Sequence, residues 1–149
     1  SLFQMNLNQL YSNLKGLDIW QIVTDIMEND LDDFIADLNR KQMAEKGQRA
    51  DGSKLTPDYA NVTKSIKSDK SGIGGIYEHV TLFDTGELHK SIFTSVIGKS
   101  IIMDSEDWKV SDLTDKYGEF LGLTPESIDK LKEKFLPLFY DKLNAEILR

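Results

Sequence analysis

One segment restricts the fold more than any other. Ile19, Ile22, Val23, Ile26, Met27, Leu31, Phe34, Ile35 and Leu38 recur at the i, i+3, i+4, i+7 spacing of one helical face. The carboxylates of the same stretch, Asp18, Asp25, Glu28, Asp30, Asp32, Asp33 and Asp37, fall mostly between them. The pattern predicts one long amphipathic helix over residues 18–46. Gly47 stops it, and Lys41 and Lys46 lie near the negative end of its dipole. Its apolar stripe must be buried, most simply on a sheet.

Charge changes sign along this region. Residues 18–37 carry no Lys or Arg, whereas Arg40, Lys41, Lys46, Arg49, Lys54, Lys64, Lys67 and Lys70 dominate residues 38–70. The two stretches are either solvated faces or surfaces that attract each other, within a molecule or between copies. Lys54, Lys64, Lys67 and Lys70 are therefore the candidate partner contacts. A net charge of −7 argues against a dedicated nucleic-acid binder. The anionic helix face disfavours a membrane surface, and no apolar run has the length of a bilayer span. Without cysteine there is no disulfide framework and no thiolate site. The N-terminus has neither the basic start nor the apolar stretch of a signal peptide, and Ser1 reads as a cloning or processing remnant. Residues 1–149 are expected to form a single domain.

Beyond Gly47 the pattern breaks up. Residues 47–77 are expected to be a mobile polar loop, with one short helix near Asp58–Ile66 that starts at Thr56 and Pro57. Ser91–Ile97 and Ser100–Asp104, joined by Gly98-Lys99, read as a β-hairpin, and His79–Phe83 as a third strand. Ser105–Asp115 reads as a polar loop anchored on the core by Trp108. The last helix is capped by Thr124, with Pro125 and Glu126 in its first turn, and Pro137 should kink or split it. The expected class is α+β, with a long N-terminal helix and a C-terminal helix packed on a small antiparallel sheet.

The tripeptide Asp84-Thr85-Gly86 is the signature of aspartic proteases, but its surroundings do not fit one. Glu87 stands where a small residue supports the catalytic loop, and two long helices do not match an all-β lobe. Such catalysis also needs two carboxylates sharing a proton. Gly72–Ile76 has the wrong spacing for a dinucleotide loop. His79 and His89 read as ordinary side chains, and Asp104, Glu106, Asp107 and Asp112 as a solvated loop without the spacing of a calcium site. No catalytic, cofactor or metal residues emerge. Read locally, Asp84 and Thr85 bond nearby backbone N–H groups and Gly86 takes positive φ. A helical turn at Glu87–Lys90 then tucks Leu88 inward before Ser91.

The string Leu82-x-Asp84-Thr85-Gly86-x-Leu88-x-x-Ser91-Ile92 resembles the central motif of the virion-morphogenesis family of tailed bacteriophages. Phe120-Leu121-Gly122-Leu123, leading into Thr124-Pro125-Glu126, resembles the family's second hallmark. Asp51–Leu55 with Tyr59 and Lys64 resembles the polar, Gly-containing stretch that family members carry between the long helix and the Asp-Thr-Gly motif. Gly118-Glu119 departs from the Arg-Pro pair frequent before Phe-Leu-Gly, and Tyr117-Gly118 is all that remains of a longer Tyr and His segment. The resemblance implies a non-enzymatic structural protein of head–tail joining or tail completion, akin to Mu-like tail-completion proteins. It implies partners in the neck, connector, tail tube or terminator, and a ring of copies. The chain would reside in the virion, and in the host cytoplasm during assembly. The alternative is a bacterial interaction module whose acidic helix binds a basic partner.

Overall fold

A computed structural model describes residues 6–149. It opens with α1 (Leu7–Lys15), capped by the Asn6 side chain. The amphipathic segment follows as α2 (Ile19–Asp25) and α3 (Asp32–Lys41), each running into a wider π-helical turn, Ile26–Asp30 and Gln42–Lys46. The expected single helix is thus interrupted at Leu31, whose φ of −121° leaves the helical region. The stripe on both sides of the interruption enters one core, while Ala36 and Met43 enter a second. Gly47 ends the segment in the left-handed conformation, as expected.

The first core joins Ile22, Ile26, Leu31, Ile35 and Leu38 to Leu131 of α7 (Pro125–Leu148), with Phe135, Leu138 and Phe139 against them. The second gathers Ala36, Met43, Leu55, Val80, Leu82, Leu88, Ile92, Tyr117 and Phe120. Met103 packs against both. The stripe expected to lie on a sheet is buried mainly against α7, with one strand alongside α3. Thr124 caps α7 by accepting from the Ser127 N–H at 3.2 Å. Pro137 does not split α7, which runs unbroken through it.

Among the described residues the sheet is the expected hairpin alone: β1 (Ile92–Ile97) pairs antiparallel with β2 (Ser100–Ser105) around Gly98-Lys99. The class is α+β. His79–Phe83 does not become a third strand, because side chains take up its backbone groups. The Tyr59 hydroxyl accepts from the N–H groups of Thr81 and Leu82 at 2.9 and 3.2 Å. The His89 ring donates to the Thr81 carbonyl at 2.8 Å, and Leu82 turns to a φ of 55°.

Further expectations change. Ser105–Asp115 is not all loop: after a turn in which the Asp107 side chain accepts from the Lys109 N–H at 2.9 Å, the chain enters α6 (Val110–Tyr117). Trp108 does not anchor on the core; it is 81% exposed. The stretch 47–77 has more structure than its composition suggests. Gln48 bridges Lys54, Leu55 is fully buried, and α4 spans Asn61–Ser68. Arg49 donates to the carbonyls of Tyr117, Lys54 and Thr56, and to the Thr56 hydroxyl at 2.8 Å. Thr56 is therefore engaged with Arg49 and does not cap a helix, so α4 begins later than expected. Among the described residues, no helix is long and apolar enough to cross a membrane.

Candidate functional site

The first motif forms a turn between two clefts. Gly86 has a φ of +90°, and a β-carbon there would lie 2.9 Å from Cζ of Phe83. The Phe83 ring meets the His89 ring edge-on, 5.1 Å between centroids. Burial holds the His89 imidazole below its ordinary pKa, so the ring is neutral and carries its proton on Nε2 toward Thr81. Helix α5 (Glu87–Ser91) places Leu88 in the core, and the Ser91 hydroxyl donates to the Leu88 carbonyl at 2.7 Å.

Asp84 differs from its expected role. It bonds no backbone group; its side chain is 76% exposed and meets the Lys70 ammonium at 3.2 Å. Thr85 does accept from the Glu87 N–H, at 3.4 Å. The aspartate of this tripeptide faces an ammonium, where the protease mechanism sets a second carboxyl. Asp84→Asn is accordingly expected to leave the melting temperature unchanged. Gly86→Val should destabilise by more than about 1 kcal/mol, from its left-handed φ and the overlap with Phe83. Thermal unfolding of the two variants side by side checks both expectations.

The second motif joins the first in the interior. Phe120 is fully buried in the cluster that holds Leu82 and Leu88. Leu121 packs against that cluster and Leu123 against the other, on either side of Gly122. Two amides that sequence reasoning passed over hold this segment. The buried Asn39 donates to the carbonyls of Phe120 and Gly122, both at 2.8 Å. Gln42 donates to Gly122 at 2.9 Å and accepts from the Thr124 N–H at 2.9 Å. Their signal was available: two polar residues at i, i+3 on the inner side of an apolar stripe. Arg49 and Tyr59 fasten residues 48–56 and 81–82; the sequence marks them only as a basic residue and as part of a polar stretch, with no sign of these contacts.

One cleft, of about 350 Å³, opens between α4, residues 82–88 and α6. The other, of about 830 Å³, lies across the turn between α3 and residues 73–79, with Arg40, His79 and Lys90 on its walls. Phe83 and Gly86 line both.

The four candidate lysines do not form one free basic surface. Lys64 pairs with Asp58 at 2.8 Å, and that ammonium holds the Asp58 carboxyl below its usual range. Lys70 pairs with Asp84. Lys67 is buried, and Lys54 alone is exposed without an ion pair among the described residues. On the acidic side, Asp30 meets Lys142 and Asp37 meets Lys41. Of the acidic loop, Asp104 and Asp107 bond the neighbouring N–H groups of Ser105 and Lys109. Among the described residues no group of three or more His, Asp or Glu side chains could hold a metal.

No family model, no curated protein and no solved structure matches the chain.

Proposed function

We propose that the chain is a non-enzymatic structural protein of a tailed bacteriophage, acting in head–tail joining or tail completion. The observation that carries this reading is the meeting of Leu82, Leu88 and Phe120 in one core. Two strings far apart in the chain, each resembling a hallmark of the virion-morphogenesis family, thus serve one packing unit. The residues that match are spent on turns, burial and backbone hydrogen bonds. That is what a rigid joint requires, and it leaves exposed side chains to meet partners. The chemistry of the tripeptide supports the same reading, because Asp84 is a surface ion-pair partner.

On this reading the chain is a component of the finished particle and is found in the host cytoplasm before assembly. Its neighbours are neck, connector or tail proteins, and copies of itself in a ring. Peptide mass spectrometry of gradient-purified particles tests the proposal. The expected result is the chain at a constant ratio to the other joining proteins. Particles that lack it would contradict the reading.

A further inference from the structure

The cleft beside α4 has a floor, walls and a rim of different chemistry. At its floor lies Lys67, only 6% exposed. Its ammonium donates to the Phe83 carbonyl at 2.6 Å and weakly to that of Gly74 at 3.4 Å. It also lies 4.9 Å from the centre of the Tyr59 ring. Among the described residues, every ion pair involves other side chains, so Lys67 is a buried cation whose partners are all neutral. Carbonyl dipoles and a ring face offset part of its lost hydration, and a carboxylate would offset far more.

The walls are apolar: Tyr59, Leu82, Leu113 and Tyr117. At the rim, Lys70 is held by Asp84 at 3.2 Å and Lys109 by Asp107 at 3.7 Å, while Glu87 faces the same space. A polyanion therefore meets two rim carboxylates and no surplus of free ammonium groups. A single carboxylate reaching Lys67 between apolar walls meets the one cation without a counter-charge. Exposed apolar residues stand on or next to the elements that line the cleft. Ile66 and Val62 of α4 are 56% and 72% exposed, and Trp108 adjoins Lys109 of the opposite wall. Exposed aliphatic and indole groups around a deep polar contact suit a protein segment better than a free small acid.

We propose that this cleft docks a partner-protein segment carrying one Asp or Glu flanked by aliphatic or aromatic residues. The carboxylate pairs with Lys67, and the flanking side chains cover Leu113, Ile66 and Trp108. The inference rests on the assembly reading only in requiring a partner, and it names the surface and the chemistry that the reading leaves open.

A displayed library of short random peptides, selected against the full chain, tests it. Enriched peptides should share an acidic residue beside apolar ones. Changing that acid to its amide should weaken binding at least about tenfold, by fluorescence titration. Lys67→Met should give a similar loss, and the two changes together no more than either alone. Lys67→Met also frees the Phe83 carbonyl, so the exposed Ile66 provides a second test. Ile66→Glu should weaken binding, whereas Ile66→Lys should preserve or strengthen it. Enriched peptides without an acid, or affinities indifferent to Lys67 and to the charge at position 66, would overturn the proposal. So would displacement of the peptide by inorganic phosphate, the mark of a simple anion site. Peptide binding by a chain missing from purified particles would refute the virion reading alone. A particle component with no such binding would refute the docking site alone.

Discussion

Phe120→Ala is expected to lower the free energy of unfolding by about 3–5 kcal/mol, the range for emptying a large aromatic site in a packed core. Phe120 is fully buried, and its ring fills the space between α3, the first motif and α6. The surroundings have little freedom to close over the cavity. Backbone carbonyls on either side of Leu121 are held by Asn39, and Ala50 donates to the Glu119 carbonyl at 3.0 Å. Chemical denaturation of wild type and variant measures the loss as a shift in midpoint at constant slope. A loss below about 1 kcal/mol would mean that the two motifs do not share a core.

Asn39→Asp should be as severe at neutral pH and should ease in acid. The side-chain NH₂ of Asn39 serves two carbonyls at once. A carboxylate in its place would set negative charge against both, without hydration or an ammonium partner. A buried charge left without a partner costs about 3–5 kcal/mol. Burial and the two carbonyls both raise the pKa of the introduced acid in the folded state above its unfolded value, near 3.9. Its penalty is therefore absent below about pH 4, grows as pH rises, and is complete above the folded-state pKa. Once protonated, the side chain has one donor and recovers one of the two bonds. Asn39→Leu, of similar size, should show a loss that does not change with pH. Unfolding curves across pH for both variants, referred to wild type, distinguish the two behaviours. A pH-independent Asn39→Asp would place residue 39 in contact with solvent.

The sequence discloses those parts of the fold whose cause is periodic or local. The α2–α3 stripe is legible because a helix buried on one side must repeat its apolar residues every three to four positions. The hairpin is legible from β-branched runs on either side of Gly98-Lys99, and the start of α7 from Thr124 and Pro125. What stays hidden depends on partners distant in the chain. Helix α6 has few apolar positions and no side-chain cap to mark its start. Residues 79–83 have strand composition, but Tyr59 and His89 occupy their backbone groups and Leu82 turns away. Apolar content alone could not show that residues 47–56 are fastened by one arginine reaching Tyr117. Trp108 illustrates the converse, since hydrophobicity predicts burial but not whose surface provides it.

At the site, the turn was legible at Gly86 and Leu88, where conformation and burial follow from the residue itself. It was misread at Asp84, because a carboxylate next to Thr-Gly serves equally as a backbone cap or as a surface ion partner. Only the position of Lys70 decides between them. The basic stretch was legible as charge, but not in which of its lysines stay free of partners on the same chain. Lys64 and Lys70 find carboxylates on their own chain, and Lys67 turns inward.

On the proposed reading this chain is a structural joint whose Asp84 performs no chemistry. Electron microscopy of particles assembled without the chain, and with it resupplied as wild type or as Asp84→Asn, tests that claim most directly. Filled heads and separate tails should accumulate in its absence, and both resupplied forms should restore joined particles equally. Joined, infectious particles made without the chain, or restoration by wild type and not by Asp84→Asn, would contradict it.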